Sequence, residues 1–82
     1  MPTTTTTPTG YVLTKDNRRR RKQGRQAARA GAADSYDPTD PPTAITDALV
    51  NLMHYAEEIG VSFDTHLRVA RNHYTAERTG EE

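Results

Sequence analysis

The chain has 82 residues, of which 33% are hydrophobic, and it contains no cysteine. This length allows one small domain at most, and the lack of cysteine excludes disulfides and thiolate metal sites. The formal net charge is zero, but residues 1–33 carry eight Lys and Arg side chains against one acid, whereas residues 34–82 carry three against ten. Charge separated this strongly predicts a basic N-terminal half that meets a polyanion and an acidic C-terminal half with another role.

The first segment, residues 1–17, is predicted to be a disordered tail. It opens with a low-complexity run of threonine and proline, which cannot bury enough surface to offset the entropy of ordering. A short apolar island at residues 11–13 allows two interpretations. It is either a solvent-exposed patch, or a short anchor that docks on the folded part of the chain or on a partner.

Residues 18–33 are predicted to form a basic, partly helical arm. Asp16 or Asn17 is a candidate N-cap, whereas Gly24 costs a helix roughly 1 kcal/mol against alanine. The arm has no large apolar residue that would give it a buried face. We therefore expect partial helix in the isolated arm and more helix on an anionic partner.

The cations of this arm are the predicted nucleic-acid-binding residues, because arginine pairs bidentately with phosphate. In a helix, five of them share one stripe, and neutralising about five phosphates gives a log K versus log salt slope of about −4.5 on duplex DNA. No aromatic residue is interleaved in the run, so base stacking is not predicted and binding to DNA or RNA should lack strong sequence preference. Alternative roles are a contact with an acidic protein surface, a solubilising tail, a cover for the chain's own acidic half and a localisation signal. The predicted binding residues are Arg18, Arg19, Arg20, Arg21, Lys22, Arg25 and Arg29.

The rest of the chain predicts an all-α fold, a two-helix antiparallel hairpin within residues 44–79. Residues 34–43 hold three prolines and three aspartates and are predicted to be a stiff linker. Helices are predicted over 44–59 and 63–78, with Thr43 as the first N-cap, Gly60 as the stop and Ser62 as the second N-cap. The short connection favours helices that fold back on each other.

The apolar stripes of the two helices are predicted to form an interface. A hairpin this small, without a disulfide or a metal, has too little core to be stable alone. We therefore expect a homodimer, or a protein partner that covers the stripes. The predicted interface residues are Ile45, Leu49, Leu52, Met53, Ala56, Ile59, Phe63, Leu67, Ala70 and Tyr74.

No catalytic site, cofactor or membrane span is predicted. The sequence has no glycine-rich phosphate loop, no nucleophile–base arrangement and no long apolar stretch, so we expect a cytoplasmic protein that is not an enzyme. His66, His73 and Glu77 are weak candidates for a zinc site, because a His–Glu pair four residues apart on a helix is commonly a solvated pair. We therefore predict no metal.

Residues 47–77 resemble a group of small, mostly uncharacterised helical proteins of bacterial genomes, prophages and other mobile elements. The residues that carry the likeness are Asp47–Tyr55, Gly60, Phe63, Asp64, Leu67, Ala70 and His73–Glu77. The resemblance implies a biological setting and no particular activity, and it marks His54, His73, Tyr74 and Glu77 as positions to test.

Together these features predict a small accessory protein whose basic arm binds nucleic-acid phosphates and whose acidic hairpin self-associates or binds a partner. The alternative is a pure protein-interaction module, an adaptor or inhibitor of phage or mobile-element origin, whose basic arm contacts an acidic protein surface.

Overall fold

A computed structural model describes residues 10–80, which form three α-helices and one short 3₁₀ turn. The predicted all-α class is confirmed, since the described residues contain no strand. Residues 1–9, the start of the predicted tail, lie outside the described part of the chain. The elements are α1 at Lys15–Ala32, the 3₁₀ turn at Ala33–Ser35, α2 at Pro41–Ile59 and α3 at Phe63–Arg78.

Helix α1 is continuous and begins before the predicted basic arm. Thr14 is its N-cap, because the Thr14 hydroxyl oxygen accepts a hydrogen bond from the Asn17 N–H at 3.0 Å. Asp16, a predicted cap, lies instead in the first turn, where a carboxylate is favourable to the helix dipole. The partly helical arm predicted over 18–33 is therefore a full helix, and its order comes from the contacts of its inner side.

The inner side of α1 packs on α2 through small residues. A Cβ atom at Gly31 would lie 2.6 Å from the Cβ of Ala48, so the two helix backbones approach as closely as glycine allows. Ala32 and Ala44 are buried at the same crossing. The Asn51 side chain donates a hydrogen bond to the Gly31 carbonyl at 2.7 Å. The basic segment is thus part of the folded unit and not an arm separated from it by a linker.

The connection between α1 and α2 is shorter than the predicted linker and is held by side chains. Ser35 lies in the 3₁₀ turn, and its hydroxyl contacts the Ala32 carbonyl at 2.9 Å and the Asp47 carboxylate at 2.8 Å. The Asp37 carboxylate accepts from the Thr39 hydroxyl at 2.7 Å and the Thr39 N–H at 2.9 Å. These two hydrogen bonds hold the pKa of Asp37 below its usual range.

Helix α2 begins three residues before the predicted start at 44. Asp40 is the N-cap, and its carboxylate accepts from the N–H and the hydroxyl of Thr43, the predicted cap. Pro41 and Pro42 fill the first turn, where a missing N–H breaks no intrahelical hydrogen bond. Proline at these positions starts a helix and does not mark the end of a linker.

Helix α3 has the predicted bounds and caps. Gly60 ends α2 with a left-handed φ of 74°, and the Ser62 hydroxyl oxygen accepts from the Thr65 N–H at 3.3 Å. Side-by-side packing of α2 and α3 as an antiparallel hairpin is not confirmed, because α2 packs chiefly on α1 and makes few contacts with α3. The two helices diverge from their short connection.

The far end of α3 returns to the start of α1. The Val12 N–H donates to the Arg78 carbonyl at 2.7 Å. The Asn17 side-chain amide donates to the carbonyls of Val12 at 2.8 Å and Glu77 at 2.6 Å, and Asn17 is 1% exposed. We call this set of contacts the clasp. It places the apolar island on the folded part of the chain, so the anchor interpretation fits the structure, and residues 11–17 are not part of a disordered tail as the sequence predicted.

Candidate nucleic-acid interface and apolar cleft

Helix α1 presents a row of exposed cations, which we call the basic stripe. Each of these side chains is exposed, and the row runs beside the part of α1 that packs on α2, since Arg25 and Arg29 line a small pocket together with Ala44 of α2. At 1.5 Å per residue, the stripe extends about 16 Å from Arg18 to Arg29. Its members, all exposed, are Arg18, Arg21, Lys22, Arg25 and Arg29.

Two of the predicted binding arginines have other contacts. Arg20 points to the clasp, where its Nη1 donates to the Asn17 side-chain oxygen at 2.9 Å and its Nε lies 3.4 Å from a Glu77 carboxylate oxygen. Its side chain is 27% exposed. Arg19 is well exposed and lies 3.4 Å from Asp16, a surface pair that adds little stability. Arg20 therefore serves the fold, whereas Arg19 lies beside the stripe.

Tyrosines from outside the basic run contact two members of the stripe. The Arg21 guanidinium carbon lies 4.5 Å from the ring centroid of Tyr11, and that of Arg29 lies 5.3 Å from the ring centroid of Tyr36. Such contacts favour a fixed orientation of the planar guanidinium. The sequence did not predict these contacts, because neither tyrosine lies within the basic run.

A small pocket lies at the junction of α1 and α3, next to the clasp. Its volume is about 300 Å³. Tyr74, which the sequence placed in the hairpin interface, lies here and is 53% exposed. The lining residues are Tyr11, Asn17, Arg20, Arg21, Tyr74, Glu77 and Arg78.

A larger and apolar cleft of about 520 Å³ opens where α2 and α3 diverge. Among the described residues, the buried apolar side chains are four alanines, so no bulky apolar residue is buried. Leu52 and Ile59, for example, each remain 52% exposed in the cleft. The lining residues are Leu49, Leu52, Tyr55, Ala56, Ile59, Val61, Phe63, His66, Leu67 and Ala70.

Seven of the ten predicted interface residues therefore line one cleft, although α2 and α3 make few contacts with each other. Ile45 and Met53 are exposed but are not among the lining residues. Tyr55, Val61 and His66 also line the cleft, although the sequence did not place them in the two apolar stripes. Tyr55 lies off the main stripe of α2, and Val61 lies in the connection, so helical periodicity did not identify either.

The weak metal candidates lie in different surroundings. His66 lines the apolar cleft, and Glu77 pairs with Arg20 at the clasp. Within residues 10–80, no group of three or more histidine or acidic side chains is arranged to hold a metal ion. In the same range, no helix is both long and apolar enough to cross a membrane.

Comparison with known proteins adds no family: no family model, no curated protein and no solved structure matches the chain.

Proposed function

We propose that the protein is a small, cytoplasmic, non-enzymatic accessory protein that binds the phosphates of nucleic acids through the basic stripe. The observation that carries this proposal is the orientation of α1. It is held against α2 at Gly31, and five of its cations are exposed along one row of this fixed helix. A prearranged row of guanidinium groups loses less conformational entropy on binding than a flexible arm.

The length and chemistry of the stripe suit a phosphate backbone. About 16 Å of helix matches about five steps of 3.4 Å along one strand of a duplex. Contacts to phosphate position a protein but carry no sequence information, so binding should depend strongly on salt and weakly on sequence. This supports the expectation of about five phosphate contacts.

Removal of two stripe cations tests the proposal. We expect the double substitution Lys22→Gln and Arg25→Gln to weaken binding to a mixed-sequence duplex and to reduce the log K versus log salt slope by about 1.8. These two residues are exposed and are not engaged in the clasp or the tyrosine contacts. Fluorescence anisotropy across a salt series measures both quantities.

The control removes the same charge from another helix. Arg68 and Arg71 are exposed on α3, away from the stripe, and Arg68→Gln with Arg71→Gln should leave the slope unchanged. An equal loss in both double variants would show that net charge, and not the stripe, drives binding. Wild-type protein that fails to bind nucleic acid at low salt would overturn the proposal.

A second candidate function is favoured by the apolar cleft. Bulky side chains that remain half-exposed mark an interaction surface. We propose that two copies pair through this surface, with α2 and α3 of each copy acting as the predicted hairpin and completing a four-helix arrangement. Because both walls of the cleft are apolar, a twofold contact allows each copy to supply the same surface.

The rival form of this candidate is the pure interaction module, an adaptor or inhibitor of phage or mobile-element origin whose basic stripe contacts an acidic protein surface. It differs from the first proposal in one measurable property, since it requires no affinity for nucleic acid. The salt-titrated binding assay therefore separates the two functions.

A further inference from the structure

The pocket at the junction of α1 and α3 is continuous with the basic stripe. Arg21 belongs to both, since it is a member of the stripe and a lining residue of the pocket. A strand whose phosphates follow the stripe therefore passes the mouth of the pocket. The pocket volume of about 300 Å³ is at the lower end of the range of roughly 300–1,000 Å³ that small-molecule sites occupy.

The lining combines positive charge with an exposed aromatic ring. Arg20, Arg21 and Arg78 line the pocket with one acid, Glu77, which Arg20 already pairs at 3.4 Å. Tyr74 lines the same space and is 53% exposed. Sites for single-stranded nucleic acid use this combination, in which cations hold the backbone and an aromatic ring stacks on a base.

We propose that the pocket binds one unstacked base of a single-stranded nucleic acid, with the base stacked on the Tyr74 ring and the adjoining phosphate held by Arg21. This deepens the proposed function and rests on it, because it makes single strands the preferred ligand of the same basic surface. It also reverses the sequence-based expectation that base stacking has no support, since that expectation considered only aromatic residues within the basic run.

The geometry favours a single strand over a duplex. A base inside a duplex already stacks on its neighbours and cannot reach a tyrosine ring without leaving the helix. Every base has a stackable face, so a pocket of this kind remains tolerant of sequence. Stacking releases no counterions, and loss of the ring should therefore leave the salt dependence of binding unchanged.

The test compares an oligothymidylate with a duplex of the same length by fluorescence anisotropy. Tyr74→Leu should weaken binding to the single strand by roughly 5- to 150-fold, which is the usual effect of removing one stacking ring, and should leave duplex binding unchanged. Tyr74→Phe, which keeps the ring, should bind both ligands as the wild type does. Circular dichroism confirms that the variants keep their helices.

Val69→Ala is the control. Val69 is 45% exposed on α3, the same helix as Tyr74, and lines neither the pocket nor the apolar cleft. Its replacement should not change affinity for the single strand. An equal effect of Val69→Ala and Tyr74→Leu, or an equal loss of duplex and single-strand binding in Tyr74→Leu, would overturn the inference.

Photocrosslinking tests the contact in the unaltered protein. An oligonucleotide that carries 5-iodouracil forms adducts with aromatic side chains that stack on it. Trypsin cuts after Arg71 and Arg78, and Tyr74 is the only tyrosine of the resulting peptide 72–78. An adduct on that peptide supports the inference, and adducts confined to other peptides overturn it.

The two proposals fail in distinguishable ways. If the wild type binds duplex and single strand equally and Tyr74→Leu has no effect, the basic stripe remains a phosphate-binding surface but the base pocket is refuted. Wild-type protein that binds neither ligand removes both proposals.

Discussion

At the scale of single residues, Asn17 is the one buried polar residue in the described part of the chain. It is the most buried side chain, and its amide holds the carbonyls of Val12 and Glu77, which come from opposite ends of the described sequence. Its side-chain oxygen accepts from Arg20. A buried polar group is stable only when its hydrogen-bonding capacity is used, and here each of its sides has a partner.

We predict that Asn17→Leu lowers the free energy of unfolding by about 2–4 kcal/mol, because two carbonyls lose their buried donor. Asn72→Leu is the control, since Asn72 is exposed on α3 and its replacement should change stability by less than about 0.5 kcal/mol. Urea denaturation followed by circular dichroism measures both. Equal destabilisation of the two variants would contradict the role assigned to Asn17.

The sequence predicted Asn17 only as a candidate helix cap, because a local pattern identifies contacts between neighbouring residues. Asparagine next to a basic run fits a cap on propensity alone. One of the acceptors that fix its role, the Glu77 carbonyl, lies sixty residues away, and no spacing rule connects it with Asn17. Ser62 and Gly60, by contrast, act on neighbouring residues, so their roles were predicted from the sequence.

At the scale of elements, α1 shows why hydrophobic periodicity failed to identify a packed helix. Its contact with α2 is made of glycine and alanine, which bring backbones close but give little apolar signal. The spacing of Gly24, Ala28 and Gly31 by four and three residues was the available indication, because these positions share one side of a helix. Helix α3, which has large apolar residues and a serine cap, was predicted with its observed bounds.

The two glycines of α1 should respond in opposite directions to the same substitution. Nothing lies within 4 Å of a Cβ at Gly24, so Gly24→Ala should raise the free energy of unfolding by about 0.5–1 kcal/mol through helix propensity. At Gly31 the added methyl meets Ala48 at 2.6 Å, and overpacking of about 1–3 kcal/mol should exceed the propensity gain.

Thermal and urea denaturation of both alanine variants, beside the wild type, measure this difference. A stabilised Gly31→Ala variant would show that α1 does not pack on α2 in solution. Such a result would support the sequence-based prediction that the basic segment is an arm separate from the folded unit.

At the scale of the whole molecule, each helix contacts the other two. Helix α1 meets α2 at their crossing, α2 meets α3 at the Gly60 connection, and α3 meets α1 at the clasp. This arrangement leaves bulky apolar residues without cover on the α2 and α3 walls of the cleft. The need for a covering partner was predicted from the small size of the apolar half. The position of the cleft was not, because it depends on how far α2 and α3 diverge.

We predict that the wild type self-associates and that Leu52→Glu shifts it toward a monomer, since a carboxylate in the apolar cleft is costly to bury. Val50→Glu is the control, because Val50 is 45% exposed on α2 but does not line the cleft. Light scattering across a concentration series gives the mass of each variant. A folded wild-type monomer at every concentration would refute self-association.

The clasp also has a kinetic consequence. Its hydrogen bond from Asn17 to Glu77 closes a loop of 60 residues, and closing such a loop costs about 3.6 kcal/mol of chain entropy beyond a constant term. The crossing of α1 and α2 closes a much shorter loop, since Gly31 and Asn51 are 20 residues apart. We therefore expect the C-terminal half of α1 to order first and its N-terminal half last, so that the base pocket is completed only in the final step of folding.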